Sequence, residues 1–184
     1  MAEPVLLRKA IESPTTPEGR VPPQAVDIEA QVIGAMLLDR EAISKVIEVL
    51  DEDAFHADYH RKIYQAVIAM FERSEPVDMI TLAEELRRRG HLDLVGGEPY
   101  LAELSMNVTS GANVEYHARI VLEKSLMRGL ITASSNIANR AYSQTEDAFD
   151  LLDESEQAIF TISLVAAISR FSLTCVSSCR RRTS

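Results

Sequence analysis

The apolar positions of this chain fall into helical periods separated by sharp breaks. Val26, Val32, Ile33, Met36 and Leu37 recur at helical spacing, and beyond Asp39 a second set follows as Ile43, Val46, Ile47 and Leu50. Two short helices are expected there. After the acidic break Asp51-Glu52-Asp53 and Phe55, the positions Ile63, Val67, Met70 and Phe71 predict a helix from about 58 to 73, stopped at Ser74-Glu75-Pro76. Thr81 followed three residues later by Glu84 reads as a capping box, in which each side chain satisfies a free backbone N–H at the start of a helix running to Arg89. Gly90 stands beyond it, where a left-handed cap is wanted.

The stretch VGGEPYLAEL puts two glycines and Pro99 ahead of Tyr100, Leu101 and Leu104. No strand pattern precedes the glycines and no Gly-Lys-Ser/Thr follows them, so a turn into a helix is the better reading than a phosphate loop. Proline is tolerated near a first helical turn, and Glu98 suits the positive end of the helix dipole. After a turn at Thr109-Ser110-Gly111, Leu122, Leu126, Leu130, Ala133, Ile137 and Ala141 form one stripe on a segment without proline. A helix over about 113 to 142 would be roughly 45 Å long at 1.5 Å per residue, too long for a small globule to cover, so it should project. Ser143-Gln144-Thr145 makes a short turn, and Ala148, Leu152, Ser155, Ile159 and Ile162 give a matching seam on a return helix. The expected fold is therefore all-α, a small helical bundle over 25–112 followed by a protruding antiparallel helical hairpin over 113–163.

The flanks differ. Residues 1–24, with Pro14, Pro17, Pro22 and Pro23 among Ser, Thr and Gly, read as a flexible arm. Residues 164–184 hold four arginines, both cysteines (Cys175 and Cys179) and no acid. They read as an atypical basic tail, either disordered or the product of a truncated, shifted or fused reading frame. Without them, 15 basic residues face 28 acidic ones, a balance of −13. Such a surface repels a phosphate backbone, which favours protein partners over autonomous DNA binding. The absence of cysteine from the body, of a signal pattern and of a spanning apolar run points to a cytoplasmic protein with no membrane role.

Three groups could carry chemistry. His56 and His60 lie four residues apart with Asp53 and Asp58 nearby, the spacing of two metal ligands on one helix face, and a metal-dependent hydrolase is the enzyme reading of that pattern. Ala57 stands where a zinc-protease helix has glutamate, and further ligands are lacking. One imidazole packed or capping at a helix start, with the other solvated, is the plainer expectation. Arg87, Arg88 and Arg89 could contact phosphate in a nucleic-acid-binding module, although three cations at a helix C-terminus also complement its dipole. No nucleophile elbow or paired acid and base occurs, so no catalytic, cofactor or metal residue is assigned. Two projecting helices that bury one face on each other leave their outer faces available. Leu122, Leu126, Leu130, Ile137, Leu152, Ile159 and Ile162 are accordingly the candidates for hairpin seam or self-association.

The ordered elements together resemble the N-terminal domain of bacterial replicative DNA helicases of the DnaB family. The resemblance is carried by Pro22-Pro23-Gln24 leading into DIEAQVIGAMLLD, by DEDAFHADYHRKIYQAVIAMF, by VDMITLAEELRRRGHLDLVGGEPYLAEL and by ANVEYHARIVLEKSLMRGLI, and it extends from about Pro22 to Ile162. It implies a bundle and hairpin whose hairpins pair between subunits into the collar of a hexameric ring, where primase docks. A helicase loader is a further partner, and DNA is met only indirectly. The family's ATP- and magnesium-using motor is a separate domain whose motifs do not occur here, so this chain alone is expected to be non-catalytic. Glu146 and Asp147, at the hairpin turn, are candidate contacts for a partner.

Overall fold

The computed structural model describes residues 21–108, 111–144 and 147–179, with side chains described as far as 167. Among them are seven α-helices and no strand: α1 (Val26–Leu38), α2 (Arg40–Ile47), α3 (Asp58–Glu72), α4 (Met79–Arg88), α5 (Gly97–Met106), α6 (Val114–Ser143) and α7 (Ala148–Cys179). Most of the arm expected over 1–24 lies outside the described residues, and residues 21–25 enter α1 without regular structure.

Helix α1 is the centre of the bundle. Its residues Val32 to Leu37 are all buried, which needs neighbours on every side, and α2, α3, α5 and α6 supply them. Gly34 lets α5 approach closely, since a Cβ built there would stand 2.3 Å from the Leu104 carbonyl oxygen and 2.6 Å from Val108 Cγ2. Phe55, carried by a single 3-10 turn at Glu52–Ala54, is fully buried and packs on Tyr64, their ring centroids 4.9 Å apart. The Tyr64 hydroxyl donates to the Leu50 carbonyl at 2.6 Å, tying the end of the α2 region to α3. Burial pushes the Tyr64 phenol well above its ordinary range.

The start of α4 corrects the sequence reading. Asp78, not Thr81, is the N-cap: its carboxylate accepts from the backbone N–H of Ile80 and Thr81, both at 2.9 Å, and the Thr81 hydroxyl accepts from the Asp78 N–H at 3.0 Å. Thr81 thus closes the box from the third helical position, the place expected of Glu84. At the other end Gly90 adopts φ 71°, the left-handed cap that its position predicts.

The boundary between bundle and hairpin is not at residue 113. Val114, Ala118 and Val121, on the first turns of α6, belong to the bundle core, so one continuous helix serves both parts. Arg128 adds a clamp, donating to the carbonyls of Pro23 at 3.1 Å and Ala54 at 2.6 Å. Helix α6 ends at Ser143 with Gln144 in the left-handed region, and Asp147 opens α7 by accepting from the Phe149 N–H at 2.8 Å. The return helix does not stop at 163. Its backbone stays helical through Cys179, because nothing between 148 and 179 is a proline or a glycine, so the expected tail begins as a continuation of α7.

Candidate functional site

Two of the buried polar residues of the bundle, Glu29 and His60, meet at one point. Glu29 on α1 and His60 on α3 are 1% and 0% exposed, and the Glu29 carboxylate lies 2.9 Å from His60 Nδ1. The backbone N–H groups of His56 and Ala57 donate to the two carboxylate oxygens at 2.7 and 3.2 Å. Burial pushes the Glu29 carboxyl upward, but these hydrogen bonds outweigh it and hold the group below the ordinary glutamate value. An ionised carboxylate only accepts, so Nδ1 is the nitrogen that carries the proton toward it. On the far side, His60 Nε2 is 2.7 Å from the Tyr100 hydroxyl, and Tyr59 packs edge-on against both rings.

This arrangement binds three helices together. Both nitrogens of His60 are engaged, so neither offers a lone pair to a metal ion. His56 is half-buried, and burial, then the nearby Arg128 charge, lowers its pKa. Among the described residues no group of three or more His, Cys, Asp or Glu side chains is placed to hold a metal. In this structure His60 is a packed histidine and His56 a partly exposed one. Sequence reasoning does not single out Glu29; its signal is an acidic residue three and four positions before the apolar Val32 and Ile33, on the face they share.

The glycine pair explains how Tyr100 arrives there. Gly96 and Gly97 have φ of 94° and 71°, a conformation that side chains disfavour, and Gly97 N–H donates to the Leu92 carbonyl at 2.9 Å. The chain reverses over buried Val95 and starts α5 at once, with Pro99 inside the first turn. Tyr100 and Leu101 are thereby delivered to the His60 cluster and the core.

The three arginines at the end of α4 are engaged by carboxylates. Arg87 pairs with Glu84 and, at 2.7 Å, with Glu98; Arg88 and Arg89 pair with Glu85, the latter at 2.7 Å, and Arg73 approaches the same carboxylate at 3.2 Å. Glu85 is 7% exposed. A phosphate would have to displace these partners from a local balance that is already close to neutral.

The hairpin presents a different surface. Its helices run antiparallel, joined near the turn by Arg140 to Glu154 at 2.6 Å and farther down where Gly129 lies beside Ile162. Leu122, Leu126, Ile137 and Ile162 are half-buried, in line with Gly129 and Ala133 on α6 and Leu151, Ser155 and Ala158 on α7. Leu130, Leu152 and Ile159 are 42%, 56% and 49% exposed, so the seam is displaced by one residue at these three positions and passes through the smaller neighbours Gly129 and Ala158 and through Leu151. The displaced residues join Met127, Ile131, Phe160 and Leu164 as exposed apolar side chains of the two helices. Of the two acidic residues at the turn, Asp147 caps α7, while Glu146 lies outside the described residues. No helix among the described residues is long and apolar enough to cross a membrane.

Comparison with known proteins agrees with this architecture. Residues 21–123 match the DnaB-like helicase N-terminal domain family. The replicative DNA helicase DnaB of Rhodothermus marinus is 49% identical over 145 residues, 79% of this chain and 15% of that protein. The replicative DNA helicase DnaC of Bacillus subtilis is 40% identical over 144 residues, 78% of this chain and 32% of that protein. The chain therefore spans less than a third of either relative. The crystal structure of the N-terminal domain of DnaB helicase from Mycobacterium tuberculosis aligns with a TM-score of 0.73 at 37% identity, covering 76% of this chain and 99% of that one. A bundle centred on α1, a hairpin growing out of its last helix and matches across both sequence and structure lead to one assignment: this chain belongs to the family of DnaB-like helicase N-terminal domains.

Proposed function

We propose that this chain is a non-catalytic collar domain of a replicative DNA helicase, assembling copies of the protein through its hairpin into rings as large as a hexamer and docking primase or a helicase loader. The observation that carries this reading is the set of exposed apolar side chains on α6 and α7, among them Leu130, Leu152, Ile159 and Phe160. Apolar patches of this kind on a soluble chain mark surfaces that another protein covers. The −13 balance of residues 1–163 supports the same conclusion, because it disfavours direct contact with a nucleic-acid backbone. In this reading ATP and magnesium are used by a motor domain outside these residues, and DNA is met only through it. The whole assembly works in the cytoplasm, and the acidic hairpin turn at Glu146 and Asp147 is offered to the docking partner.

The test is the mass of the chain in solution. Sedimentation velocity should show dimers or larger species that become monomers when Leu130→Asp is combined with Leu152→Asp, with unchanged far-ultraviolet circular dichroism. Both positions are exposed, so the bundle should fold normally in the variant. A wild-type chain that stays monomeric at every concentration and gives no heat on titration with primase would sink the proposal.

A further inference from the structure

Helix α4 begins with two apolar residues that the bundle does not cover. Met79 and Ile80 follow the capping Asp78, and Ile80 is 74% exposed. With Ala83, Glu84, Arg87 and Glu98 they line a groove of about 390 Å³ where α4 passes the first turn of α5. Its polar rim is fixed by Arg87, which pairs with both Glu84 and Glu98. Two carboxylates share one guanidinium, which leaves the rim with one negative charge in excess.

A complementary pattern occurs once in the 20 residues ahead of Val21. In PVLLRKAIE, Leu6, Leu7, Ala10 and Ile11 recur at helical spacing, with Arg8 and Lys9 between them. An apolar stripe at this spacing is what a hydrophobic groove accepts, and two adjacent cations suit an acidic rim. The tether is the ten residues from Ile11 to Val21, which span up to roughly 33 Å at ~3.3 Å each. A domain of 100 residues has a radius of gyration of only about 13 Å, so a tether of this length is comparable to the width of the bundle.

We propose that this groove is the docking site of the chain's own residues 6–11, with the leucines against Met79 and Ile80 and with Arg8 and Lys9 beside Glu84 and Glu98.

The experiment uses the full chain with Cys175→Ser and Cys179→Ser, and a nitroxide attached through Ala10→Cys. Isotope-labelled, spin-labelled chain is diluted into an excess of unlabelled, unmodified chain, so that only intramolecular broadening is seen. The amide signals of Ile80 and Ala83 should be lost, and Leu6→Asp should restore them. As Ile80 is exposed, Ile80→Asp is a second variant that leaves the core intact and should restore the Ala83 signal. Undiminished Ile80 and Ala83 signals would overturn the proposal. So would broadening found only when spin label and isotope are on different chains, because that places a second copy in the groove.

Discussion

The bundle and the hairpin are made of the same apolar residue types at the same helical period, but those residues meet different surroundings. In the bundle, Val32, Ile33, Met36, Ile43, Phe55, Ile63 and Leu101 are fully buried. Beyond Val121, no described residue of the hairpin is buried, and its large side chains are half-covered or exposed. Periodicity states that a helix has an apolar face. Only the number of neighbouring helices states whether the chain itself covers that face. Helix α7 packs mainly against α6, so the stability of the hairpin is drawn from the rooting of α6 in the bundle against α1 and α2 and from the Arg128 clamp.

The contrast is broken most severely by removing the buried charge on which the bundle converges. Glu29→Ala leaves two backbone N–H groups and the His60 ring without their acceptor, and should cost about 3–5 kcal/mol in chemical denaturation. The same site gives the bundle an acid limb. Because the folded pKa of Glu29 lies below the ordinary glutamate value of 4.5, its contribution is complete above that value and is lost as pH falls through the lower, folded one. Stability profiles of Glu29→Gln against wild type should converge over that acidic window and remain separate at neutral pH. Parallel profiles throughout would show that the carboxylate is not held in its charged form.

A smaller but still clear loss is expected at Gly34. A methyl group there would meet the backbone of Leu104, which cannot rotate away, so α1 and α5 must separate. Gly34→Ala should lower stability by about 1–3 kcal/mol, within the range for overpacking, despite the better helix propensity of alanine. An unchanged melting temperature would mean that the closest helix contact of the bundle yields easily.

Much of this architecture is legible from sequence because its signals are local. The bounds of α3, the glycine cap at Gly90 and the hairpin itself follow from apolar period, proline and glycine. The Glu29, His60 and Tyr100 cluster does not, since its partners are 31 and 40 residues apart and become neighbours only when three helices pack. Asp78 and Thr81 are both good capping residues, and their three-residue separation is the separation of the box itself, so composition alone chose the wrong member. In the hairpin, adjacent pairs such as Gly129 and Leu130 were decided by hydrophobicity. Close approach of two helices instead favours the smaller residue in the seam.

That last point gives the mildest and most discriminating test. Gly129 lies in the seam as Gly34 lies in the bundle, but a Cβ at Gly129 would stand 3.7 Å from Ile162 Cδ1, an ordinary contact. Nothing there opposes the propensity gain, so Gly129→Ala should stabilise the chain by about 0.5–1 kcal/mol. The two substitutions are chemically identical and should move thermal melting in opposite directions. Loss of stability at both positions would mean that the hairpin packs as tightly as the bundle, and the outward apolar face of α6 and α7 would then need a different explanation.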